Sequence, residues 1–144
     1  MDTLFEISGV DFNAEEALRH SPLSELAETW QRGDAYGLTG KQTHSDSGLF
    51  IFVGGGDDAD LEQQIADVLG FLGEQSAEIR RLRGLPGVTK ASLRFGELWN
   101  PEKTAGRFSR FPSGLLLTCG QLGLEIVLCQ YLTSDILDSE PKTT

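Results

Sequence analysis

Between Leu61 and Leu82 the apolar side chains keep to one helical stripe. Leu61, Ile65, Val68, Leu69 and Leu72 recur at three- and four-residue spacing, and Ile79 and Leu82 continue the same side beyond Gly73. A stripe of that width needs a layer to cover it. The flanking segments supply one. Gly48 to Val53 is a short continuous apolar run, expected as a strand buried on both faces. Val88 to Leu98 alternates, with Ala91, Leu93 and Phe95 on one face against Lys90, Ser92 and Arg94 on the other, the pattern of a strand with one wet side.

The remaining segments extend this frame. Thr3 to Val10 sets Phe5 and Ile7 opposite Glu6 and Ser8, a half-buried strand ended or bent by Gly9. Asn13 is placed to cap a short helix from Ala14 to His20, with Glu15 and Glu16 in the first turn and Pro22 closing it. Ser24 to Trp30 is compatible with a short helix or an irregular strand. Gln31 to Ser47 is expected as a loop. Asp57 or Asp58 is expected to open the main helix, with a break near Gly73 because each interior glycine costs roughly 1 kcal/mol relative to alanine. A second helical piece then runs from Gln75 to Arg83 and stops at Gly84, Pro86 and Gly87. Asn100 to Arg110 is polar and expected as a loop. Pro112 in a first turn and Gly123 at the C-cap bound a helix from about Ser113 to Leu122. Leu124 to Leu132 reads as a final, mostly buried strand.

The expected architecture is therefore α+β, a single sheet of four or five strands with helices packed on one face. Residues 1–134 form one domain and residues 135–144 a polar C-terminal tail that frays. On the open face Lys90 and Arg94 would share space with Glu6, Ser8 and Glu125, giving a mixed-charge surface.

Charge narrows the partners. Lys and Arg number 12 against 22 Asp and Glu, a formal charge of −10. An acidic chain lacks the cations that neutralise phosphates, so nucleic acid is not an expected partner. The small basic run Arg80, Arg81 and Arg83 falls where a helix C-terminus favours cations. The most apolar stretch, Leu115 to Leu132, is interrupted by Gly120, Gln121, Gly123, Glu125 and Gln130, whereas a spanning helix needs about 20 mostly apolar residues, so no membrane segment is expected. The first residues, Met1 to Glu6, carry no secretory pattern, and a cytoplasmic location is the expectation. Cys119 and Cys129 lie in the apolar C-terminal part and are expected as buried, reduced core thiols.

Few constellations point to chemistry. Gly54-Gly55-Gly56-Asp57-Asp58 stands between a strand and a helix, where glycine loops hold phosphates, but it lacks the G-x-G-x-x-G spacing and a following Lys-Ser/Thr. A turn with a capping aspartate is the simpler account. Asp57, Asp58 and Asp60 lack the twelve-residue loop of a calcium site, and His20 and His44 lie in no zinc pattern, so no metal and no cofactor is expected. His20 reads as a helix C-terminal residue. No nucleophile elbow surrounds Ser8, Ser92 or Ser113, and catalysis is unsupported. Trp30 and Trp99 stand beside polar loops, where tryptophans cap a sheet edge or anchor a protein interface.

Phe5-x-Ile7-x-Gly9, Arg32-Gly33-Asp34, the apolar strand around Phe50, the long helix from Leu61, and Leu122-Gly123-Leu124 leading to Gln130-Tyr131 together carry a resemblance. From about Leu4 to Leu132 the chain resembles a small bacterial family, domain-of-unknown-function family 4279. Gln130 stands where that family pattern has an acidic residue before the tyrosine. The resemblance implies a fold and supplies no active-site residues.

Two functions follow as expectations. The first is an acidic protein-binding module, most concretely an immunity or inhibitor protein neutralising a basic partner such as a bacterial toxin. Its candidate contact residues are Asp57, Asp58, Asp60 and Glu62, with Trp30 and Trp99 as aromatic anchors. The second is a small-molecule-binding domain or small enzyme using the open sheet face around Lys90 and Arg94.

Overall fold

Phe5 and Ile7 are completely buried, and the strand that carries them, β1 (Asp2–Gly9), is the centre of the sheet. The computed structural model describes residues 1–133; Ser134 and the expected tail 135–144 lie outside the described residues. The other elements are α1 (Ala14–Leu18), β2 (Ala27–Trp30), β3 (Ala35–Tyr36), β4 (Gln42–Thr43), β5 (Ser47–Gly55), α2 (Leu61–Arg83), β6 (Lys90–Trp99), α3 (Ser113–Leu122) and β7 (Glu125–Leu132). Five strands form one sheet in the order β2-β5-β1-β6-β7, and β3 pairs with β4 in a small separate hairpin. The fold is α+β, as expected.

β5 and β6 both run antiparallel to β1, so α2 crosses over the central strand to join them, while α3 links β6 to a parallel β7. Helices α1, α2 and α3 contribute to one core: Ala14, Ala17 and Leu18 from α1, Ile65, Val68, Leu72, Ile79 and Leu82 from α2, Leu115, Cys119 and Leu122 from α3. These pack against Phe5, Ile7, Leu49, Ile51, Ala91, Leu93 and Phe95 on the inner face of the sheet.

Several expectations need correction. The main helix opens at Asp60, not Asp57 or Asp58: Asp60 Oδ1 accepts the Gln63 N–H at 2.9 Å. The break expected near Gly73 is present and falls two residues later: α2 is two helical pieces joined across a kink at Gln75 (φ −112°, ψ 17°). Leu69 is 38% exposed, at the margin of the stripe beside Phe111 and Pro112. The run at 48–53 is not buried on both faces. Leu49 and Ile51 point inward, whereas Phe50 is half-buried and Phe52 is 57% exposed on the outer face. β7 is an edge strand whose residues are half-buried or exposed, and Cys129 is half-buried there rather than part of the core. Within Ser24 to Trp30 the residues up to Leu26 form a turn and Ala27–Trp30 the edge strand β2, and the expected loop at 31–47 contains the β3–β4 hairpin. α1 ends at Leu18, and His20 lies beyond its C-cap with a left-handed φ of 64°. Pro112 is the N-cap of α3, while Gly123 supplies the αL C-cap (φ 72°). Asn13 caps α1, accepting the Glu16 N–H at 3.1 Å.

Gln64 faces inward from α2 and is fully buried. Its carboxamide donates to the Gly96 carbonyl at 2.7 Å and accepts the Gly96 N–H at 3.0 Å, and Thr3 Oγ1 donates to the same Oε1 at 3.0 Å. β1 pairs with β6 only as far as Arg94, and its register against β5 shifts between Thr3 and Leu4, so the side chain completes the β6 ladder where the central strand leaves it.

Candidate functional site

Among the described residues the helices leave one face of the sheet uncovered, and strand register determines what it displays. Glu28 pairs with Phe50, Phe50 with Glu6, Glu6 with Ser92, and Ser92 with Glu125, forming one row across all five strands. A second row sets Trp30, Gly48, Ser8 and Lys90 side by side, and a third sets Phe52, Leu4, Arg94 and Val127. A hollow of about 620 Å³ lies over these rows, with Trp30, His44 and Asp46 at one side and Glu125 and Val127 at the other.

Aromatic groups gather at the β2 and β5 side. Trp30 and Phe50 have ring centroids 6.3 Å apart, and Phe50 meets Phe52 edge-on at 5.7 Å. His44 stacks on Trp30 at 5.3 Å and lies 4.5 Å from Tyr36, which ties the β3–β4 hairpin to the sheet. Trp30 Nε1 donates to Asp46 Oδ1 at 3.1 Å, fixing the indole. The Arg32-Gly33-Asp34 turn has a structural task beside it: Asp34 Oδ2 accepts the Gln31 N–H at 2.8 Å, and Gly33 N–H donates to the His44 carbonyl at 2.8 Å.

Charge on this face is unevenly spent. Arg94 is paired with Glu6 at 3.3 Å. Glu28, Glu125 and Lys90 are exposed and make no ion pair among the described residues. Face-on aromatic rings attract cations, and carboxylates beside them strengthen that preference. The hollow thus brings aromatic rings and carboxylates together with two cations, Lys90 and Arg94.

The candidates named from the sequence do not form one site. Trp30 pairs with Gly48 near the start of β5, whereas Asp57 follows its far end, roughly 20 Å away at a rise of about 3.3 Å per residue. Asp57, Asp58, Asp60 and Glu62 are all exposed. Asp60 is used as the helix cap, and the backbone carbonyls of Gly56, Asp57 and Ala59 hold the N-terminal ammonium of Met1. Trp99, at the end of β6, donates through Nε1 to Thr104 Oγ1 at 3.2 Å. Among the described residues no group of His, Cys, Asp and Glu is arranged to hold a metal, and no helix is long and apolar enough to cross a membrane.

Glu28 belongs to no sequence motif, and Phe50 stands out only as part of an apolar strand, not as a site residue. The one sequence clue was Gly48 inside an apolar strand, since interior glycine marks a close approach. Comparison with protein-family models, curated proteins and solved structures finds no match for this chain.

Proposed function

We propose that the protein is an acidic binding module that takes cationic side chains of a basic protein partner on the open face of its sheet. An immunity or inhibitor role against such a partner is its concrete form, and the likeness to family 4279 is part of the same proposal. One observation carries it: Phe50 lies between Glu28 and Glu6 in the strand register, beside Trp30. Glu6 is shared with Arg94, so Glu28 supplies the unpaired carboxylate among the described residues, and a cation over the aromatic face gains about 0.5–2 kcal/mol per contact. The formal charge of −10 adds long-range attraction for the same partner. Asp57, Asp58 and Glu62, exposed and free of ion pairs among the described residues, contribute to that field from the far end of the sheet.

A small molecule is the second reading, favoured by the hollow of about 620 Å³, which lies within the usual range of about 300–1,000 Å³ for ligand pockets. Chemical-shift mapping with an end-blocked arginine peptide and its citrulline counterpart tests the first. The arginine peptide is expected to shift Glu6, Glu28, Phe50 and the Trp30 indole N–H, and citrulline to leave them in place. Equal binding of the neutral peptide, or shifts confined to α2 and α3, would overturn it.

A further inference from the structure

We infer that the surface where the N-terminal half of α2 meets the segment before α3 is a self-complementary interface, and that its occupant is a second copy of this chain. A hollow of about 680 Å³ opens there, with apolar walls from Ile65, Leu69, Phe111 and Pro112. Phe108 stands only three residues before Phe111, yet it is 91% exposed. The ring borders an adjoining hollow with Leu61, Glu62 and Arg107, next to an apolar hollow that no described residue fills, and is a projection without its socket. Glu62 and Arg110 both border the hollow, and neither makes an ion pair among the described residues.

The patch thus holds a projection, a socket, an anion and a cation. A partner of different sequence would need only the matching half of each pair. A twofold axis through this surface satisfies all four at once, because in an isologous contact residue i meets j and j meets i. Phe108 of each copy enters the other's hollow, and Glu62 of each meets Arg110 of the other. The loop that presents Phe108 is held in place for this: the buried Glu97 carboxylate accepts Ser109 Oγ at 2.7 and 3.0 Å and pairs with Arg107. This interface is separate from the open sheet face, so either assignment can fail without the other.

Sedimentation of the intact chain over a wide concentration range tests the inference. The weight-average mass is expected to rise from 15.7 kDa toward twice that value. Phe108→Asp should weaken self-association at least about thirtyfold, the loss of a buried hot-spot aromatic, without altering the melting temperature of the monomer. Glu62→Arg and Arg110→Glu should each impair association, and mixing the two variants should restore it, because the mixed pair regains both contacts. A chain that stays monomeric at every concentration would overturn the assignment. So would association that survives Phe108→Asp, or a mixture no tighter than either variant alone.

Discussion

Trp30 lies flat across Gly48: a Cβ placed on Gly48 would fall 2.3 Å from Cζ2 and 2.5 Å from Cη2 of the indole, and 2.6 Å from the Ile7 carbonyl oxygen. The glycine is therefore what allows an edge-strand tryptophan to rest on the sheet beside Phe50. Gly48→Ala must expel the indole or shift β5. A loss of about 1–3 kcal/mol follows, typical of forcing a side chain into occupied space. Urea unfolding measures the loss, and a change in Trp30 emission reports the displaced ring.

Gln64 is the second point where one side chain holds a local arrangement. Gln64→Leu keeps the volume but leaves the Gly96 N–H and carbonyl without partners in a buried position. A cost of about 2–6 kcal/mol is expected, from about one to three for each unsatisfied group. Hydrogen exchange at Gly96 should accelerate in the same variant. An unchanged exchange rate would show that the ladder closes without the carboxamide.

The helical stripe divides into positions of unequal value. Ile79 is completely buried and Leu69 is 38% exposed. Ile79→Ala should cost about 2–5 kcal/mol and Leu69→Ala less than about 1.5 kcal/mol, since only the first opens a cavity in the core. Equal midpoints in denaturant for the two variants would contradict the packing.

The two thiols should also separate. Burial pushes the Cys119 thiol up, favouring its neutral form in the folded chain. A group whose folded pKa is raised contributes fully below its unfolded pKa and loses that contribution as pH rises through the folded value. Stability should therefore fall on the alkaline side of the ordinary thiol range, and Cys119→Ala should flatten that part of the profile. Native labelling should modify Cys129, half-buried on an edge strand, well before Cys119.

Local patterns made much of the fold legible. The alternations through Phe5 and Ile7 and through Leu93 and Phe95, the stripe of α2, and the Gly123 cap are all written within a few residues. The errors arose where the deciding contact is distant. Three aspartates precede α2, and only the N–H of Gln63 selects Asp60 as the cap. The 48–53 run and β7 look buried because they are apolar, but their exposure depends on where the helices stop covering the sheet. The site was less legible still. Lys90, Arg94, Glu6, Ser8 and Glu125 were readable as an open face, whereas the row Glu28, Phe50, Glu6 exists only through the register of three strands. The Arg32-Gly33-Asp34 motif, conspicuous in sequence, is accounted for by turn hydrogen bonds.

Fluorescence titration of a Trp99→Phe chain, in which Trp30 is the sole tryptophan reporter, with an end-blocked arginine peptide tests the open-face assignment most directly. The Trp30 response is expected to weaken as salt shortens the screening length to about 8 Å near physiological strength. Affinity should fall about tenfold when Glu28→Gln and Phe50→Leu are combined, with the melting temperature little changed. A Trp30 signal indifferent to the peptide, or an affinity unaltered by the two substitutions, would contradict the open-face assignment.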